Sequence, residues 1–100
     1  MTIPEMQKAI YQNKIDKGFR VDNIDQEFNF IHGEVSEAYD AWWKSKENLG
    51  EELADVAIYL LGLAEILHID LQAEIERKME INKSRKFIEV KGNMLKESDV

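Results

Sequence analysis

Two acidic pairs stand at i, i+3 in this chain, Glu34 with Glu37 and Glu52 with Asp55. On a helix that spacing puts both carboxylates of a pair on one face. Each acid directly precedes a residue of an apolar stripe: Val35, Ala38, Leu53 and Val56. With the stripes at heptad positions a and d, the acids fall at g and c, all on the same flank. Antiparallel helices bring g flanks together, so the two pairs face each other across one edge of the contact. Counted from a turn near Glu47, Glu37 and Asp55 lie roughly 15 and 12 Å away, nearly at one level, at about 1.5 Å per residue. Glu34 and Glu52 are further apart along the axis. Carboxylates gathered there repel one another and lose solvation, so protonation or a cation must compensate. Ligands that are all hard oxygen suit Mg²⁺ or Mn²⁺, with Ca²⁺ the poorer fit. One ion need not touch all four acids; two ions or water-bridged ligation also fit. The competing reading is a solvated acidic surface, because a chain with 20 Asp and Glu yields many such pairs by chance. Asp55 argues against it, as a poor helix former inside the most apolar stretch of the chain.

Four helices would position these groups. Thr2 with Glu5, and Pro4 in the first turn, open a helix that runs to about Lys17 and stops at Gly18. Met6 and Ile10 mark its inner face. Asn23 with Gln26 opens a second, whose stripe is Ile24, Phe28, Ile31, Val35, Ala38 and Trp42, ending near Lys46. That stripe makes Trp42 a core residue. Asn48 with Glu51 reads as another capping box. It opens a third helix with the stripe Leu49, Leu53, Val56, Leu60, Leu63 and Leu67. Ile58 and Leu61 make this helix apolar on further sides, so it is central. Asp70 caps a fourth helix through Leu71, Ile75 and Met79 to about Lys86. The expected architecture is all-α, a four-helix bundle-like set of antiparallel helices over residues 1–86. The tail, 87–100, is interrupted by Gly92 and receives no element.

The net charge is −7. That argues against nucleic acid polymers and anionic membranes, which need basic patches, while leaving a small phosphorylated ligand open. There is no cysteine, hence no disulfide and no thiolate metal site. The N-terminus lacks the apolar run of a signal peptide. Leu53 to Ile69 contains Asp55 and Glu65 and is short for a membrane span. The expected compartment is the cytoplasm. The apolar surplus on the third helix predicts a homo-oligomer, at least a dimer, because one small core cannot cover it.

Further candidates each carry two readings. Lys78, Asn82 and Arg85 fall at i, i+4, i+7 on one face of the fourth helix, as phosphate or sugar ligands or as a solvated basic face. Trp43 lies off the stripe and can stack on a base or stay on the surface. Tyr59, one turn after Asp55, lines a pocket or packs. Glu65 and His68 form a single Glu-x-x-His, too few for a di-iron site, and read as surface residues. His32 reads as structural.

At the acidic pairs the chain resembles the MazG-like nucleoside triphosphate pyrophosphohydrolases, the all-α NTP pyrophosphatase superfamily. The family pattern Glu-x-x-Glu, gap, Glu-x-x-Asp stands here as Gly33 to Ala38 and Glu51 to Ala64. The likeness extends to Lys17–Phe19 upstream, and through Ile69–Leu71 to Lys78–Arg85 downstream. This chain has Gly33 where many members place a second Glu, so that acid is either missing from the set or dispensable. The resemblance implies Mg²⁺-dependent hydrolysis of (deoxy)nucleoside triphosphates to monophosphate and pyrophosphate, serving nucleotide-pool cleaning. It implies that Glu34, Glu37, Glu52 and Asp55 are the metal-binding and catalytic acids. It also implies substrate roles for Lys78, Asn82 and Arg85. The same fold acting on dUTP or phosphoribosyl-ATP stays open. So does a helical interaction module holding only a structural ion.

Overall fold

The computed structural model describes residues 1–97. Helix α1 spans Ile3–Asp16, α2 Ile24–Trp43, α3 Leu49–Ile66 and α4 Leu71–Ser84. Thr2 and Glu5 form the expected reciprocal capping box. Asn23 accepts from the Gln26 amide, and Asp70 from the Ala73 amide. Helices α1, α2 and α3 end alike. Gly18, Ser45 and His68 take positive φ, and the next amides (Phe19, Lys46, Ile69) donate back to Lys14, Ala41 and Ala64. This is the Schellman ending. It stops α2 at Trp43, short of the expected Lys46. It also gives His68 a place as the left-handed residue that closes α3.

Asn48 departs from expectation. Its backbone sits at φ −89°, ψ 17°, not extended, and its side chain makes no cap hydrogen bond. Its amide instead donates to Glu52 Oε1 at 3.1 Å.

Helix α3 is central, packing on both α1 and α2. Against α1, a Cβ on Gly62 would come within 3.2 Å of Ile10 Cγ2, so glycine sets how closely the two helices approach. Against α2, the contact is rotated by about one residue from the expected stripes. The inner rows are Ile24, Glu27, Ile31, Glu34, Ala38 and Ala41 on α2, and Leu49, Glu52, Val56, Tyr59, Leu63 and Ile66 on α3. Ala38, Ala41 and Leu63 are buried there, because small residues let the helices close. The bulky rows Phe28, Val35, Trp42 and Leu53, Leu60, Leu67 are exposed; Trp42, expected in the core, is 58% exposed and Leu53 56%.

Helix α4 docks on α1. The joint is Gln7, 2% exposed. Its Nε2 donates to the Ile69 carbonyl at 2.7 Å, and its Oε1 accepts from the Leu71 amide at 3.0 Å. Beyond α4 comes an element the sequence reading left out. Strands β1, Phe87–Val90, and β2, Asn93–Lys96, form an antiparallel hairpin with Phe87 opposite Lys96 and Val90 opposite Asn93. Gly92 at φ +81° makes its turn. Residues 98–100 of the expected tail lie outside the described residues.

Gln7→Leu should lower stability by about 2 kcal/mol, since it strands a buried carbonyl and a helix N-terminal amide. Urea denaturation checks this; an unchanged midpoint would show that the clasp carries no weight.

Candidate functional site

Glu34 and Glu52 sit on the inner rows of α2 and α3 and are half-buried, while Glu37 is exposed. One carboxylate oxygen from each of the three lies within 4.8 Å of the others. Glu34 Oε2 and Glu52 Oε2 are buried without a hydrogen-bond partner. Burial, then the charges of Glu37, Asp55 and Glu52 and a hydrogen bond with Glu37, push the Glu34 carboxyl above its ordinary range. Burial alone makes an unpaired carboxylate oxygen costly, and three acids at this spacing compound the cost. A divalent cation fits this donor set, because it satisfies stranded oxygens and cancels the repulsion.

The structure brings three of the four expected acids together, but in a different arrangement. Two of the acids lie inside the helix contact, where a flank was expected. The tightest group is Glu34, Glu37 and Glu52, whereas the height count matched Glu37 with Asp55. Asp55 is exposed and outside that trio, although its charge acts on Glu34. Its side chain is one methylene shorter than glutamate. The Asn48 amide holds Glu52 in place.

Tyr59 links these acids to a cavity. Burial, then the charges of Glu34, Asp55, Glu27 and Glu37, raise its hydroxyl above the ordinary tyrosine value. Its ring meets Phe30 at 5.8 Å, tilted by 57°. Both line a cavity of about 680 Å³ between α1 and α3, walled mainly by apolar groups including Ile10, Phe19, Ala57 and Ile58. A largely apolar pocket with a few polar groups suits a heteroaromatic ring. The sequence reading missed Phe19, Phe30 and the buried Lys14–Glu27 pair. Glu27 could have been found, since it lies seven residues before Glu34 on the same helix face. Its pairing across helices is not written in the spacing.

Lys78 and Asn82 lie on α4, whereas Arg85, expected on the same helix face, is its C-cap in extended backbone just past the last helical residue, Ser84. Arg85 Nη1 donates to Asn82 Oδ1 at 3.1 Å. Lys78 is pushed below the ordinary lysine value by desolvation, then by the charges of Arg85, Lys96 and Arg77. The hairpin thus adds Lys96 to this basic end. Among the described residues, no hydrogen bond or ion pair joins Lys78, Asn82 or Arg85 to the four acids. Trp43 is 70% exposed, leans on Trp42 with ring centres 6.3 Å apart, and lines neither the large cavity nor a smaller one beside Glu37 and Glu52.

A model described as the MazG-like family matches residues 17–99. The dCTP pyrophosphatase 1 proteins of Rattus norvegicus and Mus musculus are each 39% identical over 61 residues, 58% of this chain and 36% of theirs. The chain therefore spans about a third of the length of the curated relatives it matches. A solved structure, the cyanophage S-2L MazG-like pyrophosphohydrolase bound to dGDP and three catalytic Mn²⁺ ions per active site, has the same fold. It matches with a TM-score of 0.71 at 24% identity, over 96% of this chain and 97% of that one. No helix among the described residues is long and apolar enough to cross a membrane.

Glu34 makes stability depend on pH. A carboxyl raised in the folded state contributes stability that is complete below its unfolded pKa and lost as pH rises through the folded value. Chelated protein should therefore gain a contribution to its urea midpoint on acidification from neutrality, and Glu34→Gln should remove that contribution. Identical pH slopes for the two proteins would contradict the assignment.

Proposed function

This chain belongs to the MazG-like family, and from that premise we propose that it hydrolyses (deoxy)nucleoside triphosphates to monophosphate and pyrophosphate, in nucleotide-pool cleaning in the cytoplasm. The observation that carries the reading is the pair of buried, unpartnered oxygens on Glu34 and Glu52, within reach of Glu37. Those three acids, with Asp55 beside them, would hold Mg²⁺ or Mn²⁺. When bound, the cation neutralises phosphate oxygens and makes a ligated water more acidic. The chain's own residues do the rest. Asn48 steadies Glu52, Tyr59 stands between the acids and the cavity, and the cavity takes the base. The names of the relatives agree: dCTP pyrophosphatases, and a neighbour holding dGDP and three Mn²⁺ ions.

Lys78, Asn82 and Arg85 are assigned to the phosphates. Because among the described residues no hydrogen bond or ion pair joins them to the carboxylates, we assign this contact to a second copy of the chain, in a homodimer or homotetramer. Two observations support the assembly. The radius of gyration is 16.7 Å, against about 13 Å for a compact 100-residue domain. The exposed rows Phe28, Val35, Trp42 and Leu53, Leu60, Leu67 repeat every seven residues, the period of a helix-to-helix seam. Trp43 flanks that seam, where it can reach the neighbour's nucleotide.

Glu37→Gln and Asp55→Asn should each retain the helical circular dichroism spectrum. Each should cut turnover by more than the roughly 10–100-fold that outer partners of a metal site carry. Product chromatography should find monophosphate and pyrophosphate, only with Mg²⁺ or Mn²⁺ added. Diphosphate and free phosphate would refute the bond assigned.

Light scattering across a dilution series should find no active monomer. Full specific activity in a monomeric sample would contradict the shared site.

A further inference from the structure

The Lys14–Glu27 ion pair is unlike the others in the chain. Nζ and Oε2 are 2.7 Å apart, and the side chains are only 14% and 3% exposed. Among the described residues, the Arg20–Asp22, Lys44–Asp40, Lys46–Asp40, Arg77–Glu74 and Lys83–Glu80 pairs all lie on the surface. A buried pair gains little stability over an apolar one of equal volume, so its presence asks for another use. Lys14 lines the 680 Å³ cavity together with Tyr59, Phe19 and Phe30. Its ammonium lies 5.6 Å from the centre of the Tyr59 ring. An ammonium has three N–H donors and no acceptor. Glu27 takes one and fixes the direction of the rest, in a wall that is otherwise mostly apolar.

We propose that Lys14 determines base specificity, donating a hydrogen bond to an exocyclic carbonyl oxygen of the base in this cavity. The inference rests on the nucleotide reading above and deepens it. Cytosine, guanine, hypoxanthine, thymine and uracil carry such an oxygen. Adenine presents an amino donor instead, which meets the ammonium donor to donor. The site therefore both attracts carbonyl bases and rejects adenine. Glu27 is a positioning residue, acting through Lys14.

Hypoxanthine and adenine share one purine frame and differ at that exocyclic group and at N1, a donor in hypoxanthine and an acceptor in adenine, so dIMP and dAMP binding by calorimetry, compared between wild type and a variant without the ammonium, isolates the contact to Lys14 without requiring turnover. Wild type should favour dIMP by about tenfold or more, the scale of a hydrogen bond to a charged group. Lys14→Met/Glu27→Met removes both charges while keeping the volume, and should bring the ratio near one with dIMP still bound. Glu27→Gln, which keeps an acceptor for Lys14, should retain most of the preference. The kcat/KM ratio for dITP over dATP should follow the same order. Equal binding of dIMP and dAMP by wild type overturns the proposal, as does an unchanged preference in the folded double variant. A binding preference without pyrophosphate release sinks the hydrolase reading and leaves the role of Lys14 standing.

Discussion

Three carboxylates at the contact of α2 and α3 are the constraint around which the rest of the chain is arranged. Glu34 and Glu52 occupy inner positions that a structure built for stability alone would give to leucine. Desolvation and the neighbouring charges oppose the ionised form of Glu34, and one oxygen on each of the two acids has no hydrogen-bond partner among the described residues. Alanines at 38 and 41 close the helices beside them. The hairpin between α2 and α3 is held by Ser45 in the left-handed conformation and by Asn48, which has given up capping to hold Glu52. These local choices make sense if a cation completes the site.

That arrangement displaces the large apolar residues. With acids on the inner rows, Phe28, Val35, Trp42, Leu53, Leu60 and Leu67 are left outside. The chain by itself is open, 48 × 35 × 27 Å in extent, with α4 reaching away over α1 from the Gln7 clasp. The acidic site and the basic end of α4 are built as separate pieces. Electrostatics favours their meeting, and the exposed rows supply the apolar area such a meeting needs.

Most of the fold was legible because capping chemistry is local. Thr2, Asn23, Asp70 and Gly18 marked their helix boundaries correctly, since each cap joins residues within about one turn. The convergence of Glu34, Glu37 and Glu52 was legible because i, i+3 spacing fixes a helix face. What escaped depends on how the helices turn toward one another. Sequence patterning picks out the strongest apolar stripe, and here half of that stripe turns outward (Phe28, Val35, Trp42 and Leu53, Leu60, Leu67) while Ile24, Ile31, Ala38 and Leu49, Val56, Leu63 stay on the inner rows. Hence Trp42 was expected in the core and Glu34 on a flank. Asn48 has the composition of a cap but not the backbone of one. The Lys14–Glu27 pair and the β1–β2 hairpin escaped for other reasons. One is a contact between consecutive helices, across the α1–α2 connection, that no local spacing encodes, and the other is four-residue strands with no clean alternation.

The central claim is that the carboxylate trio holds a divalent cation. Crystals grown with Mn²⁺ and measured for anomalous scattering test it most directly. The expected result is a peak bounded by Glu34, Glu37 and Glu52, on the side of Asp55, that disappears in Glu34→Gln. No peak at saturating Mn²⁺, with the three carboxylates hydrated or protonated, would contradict it.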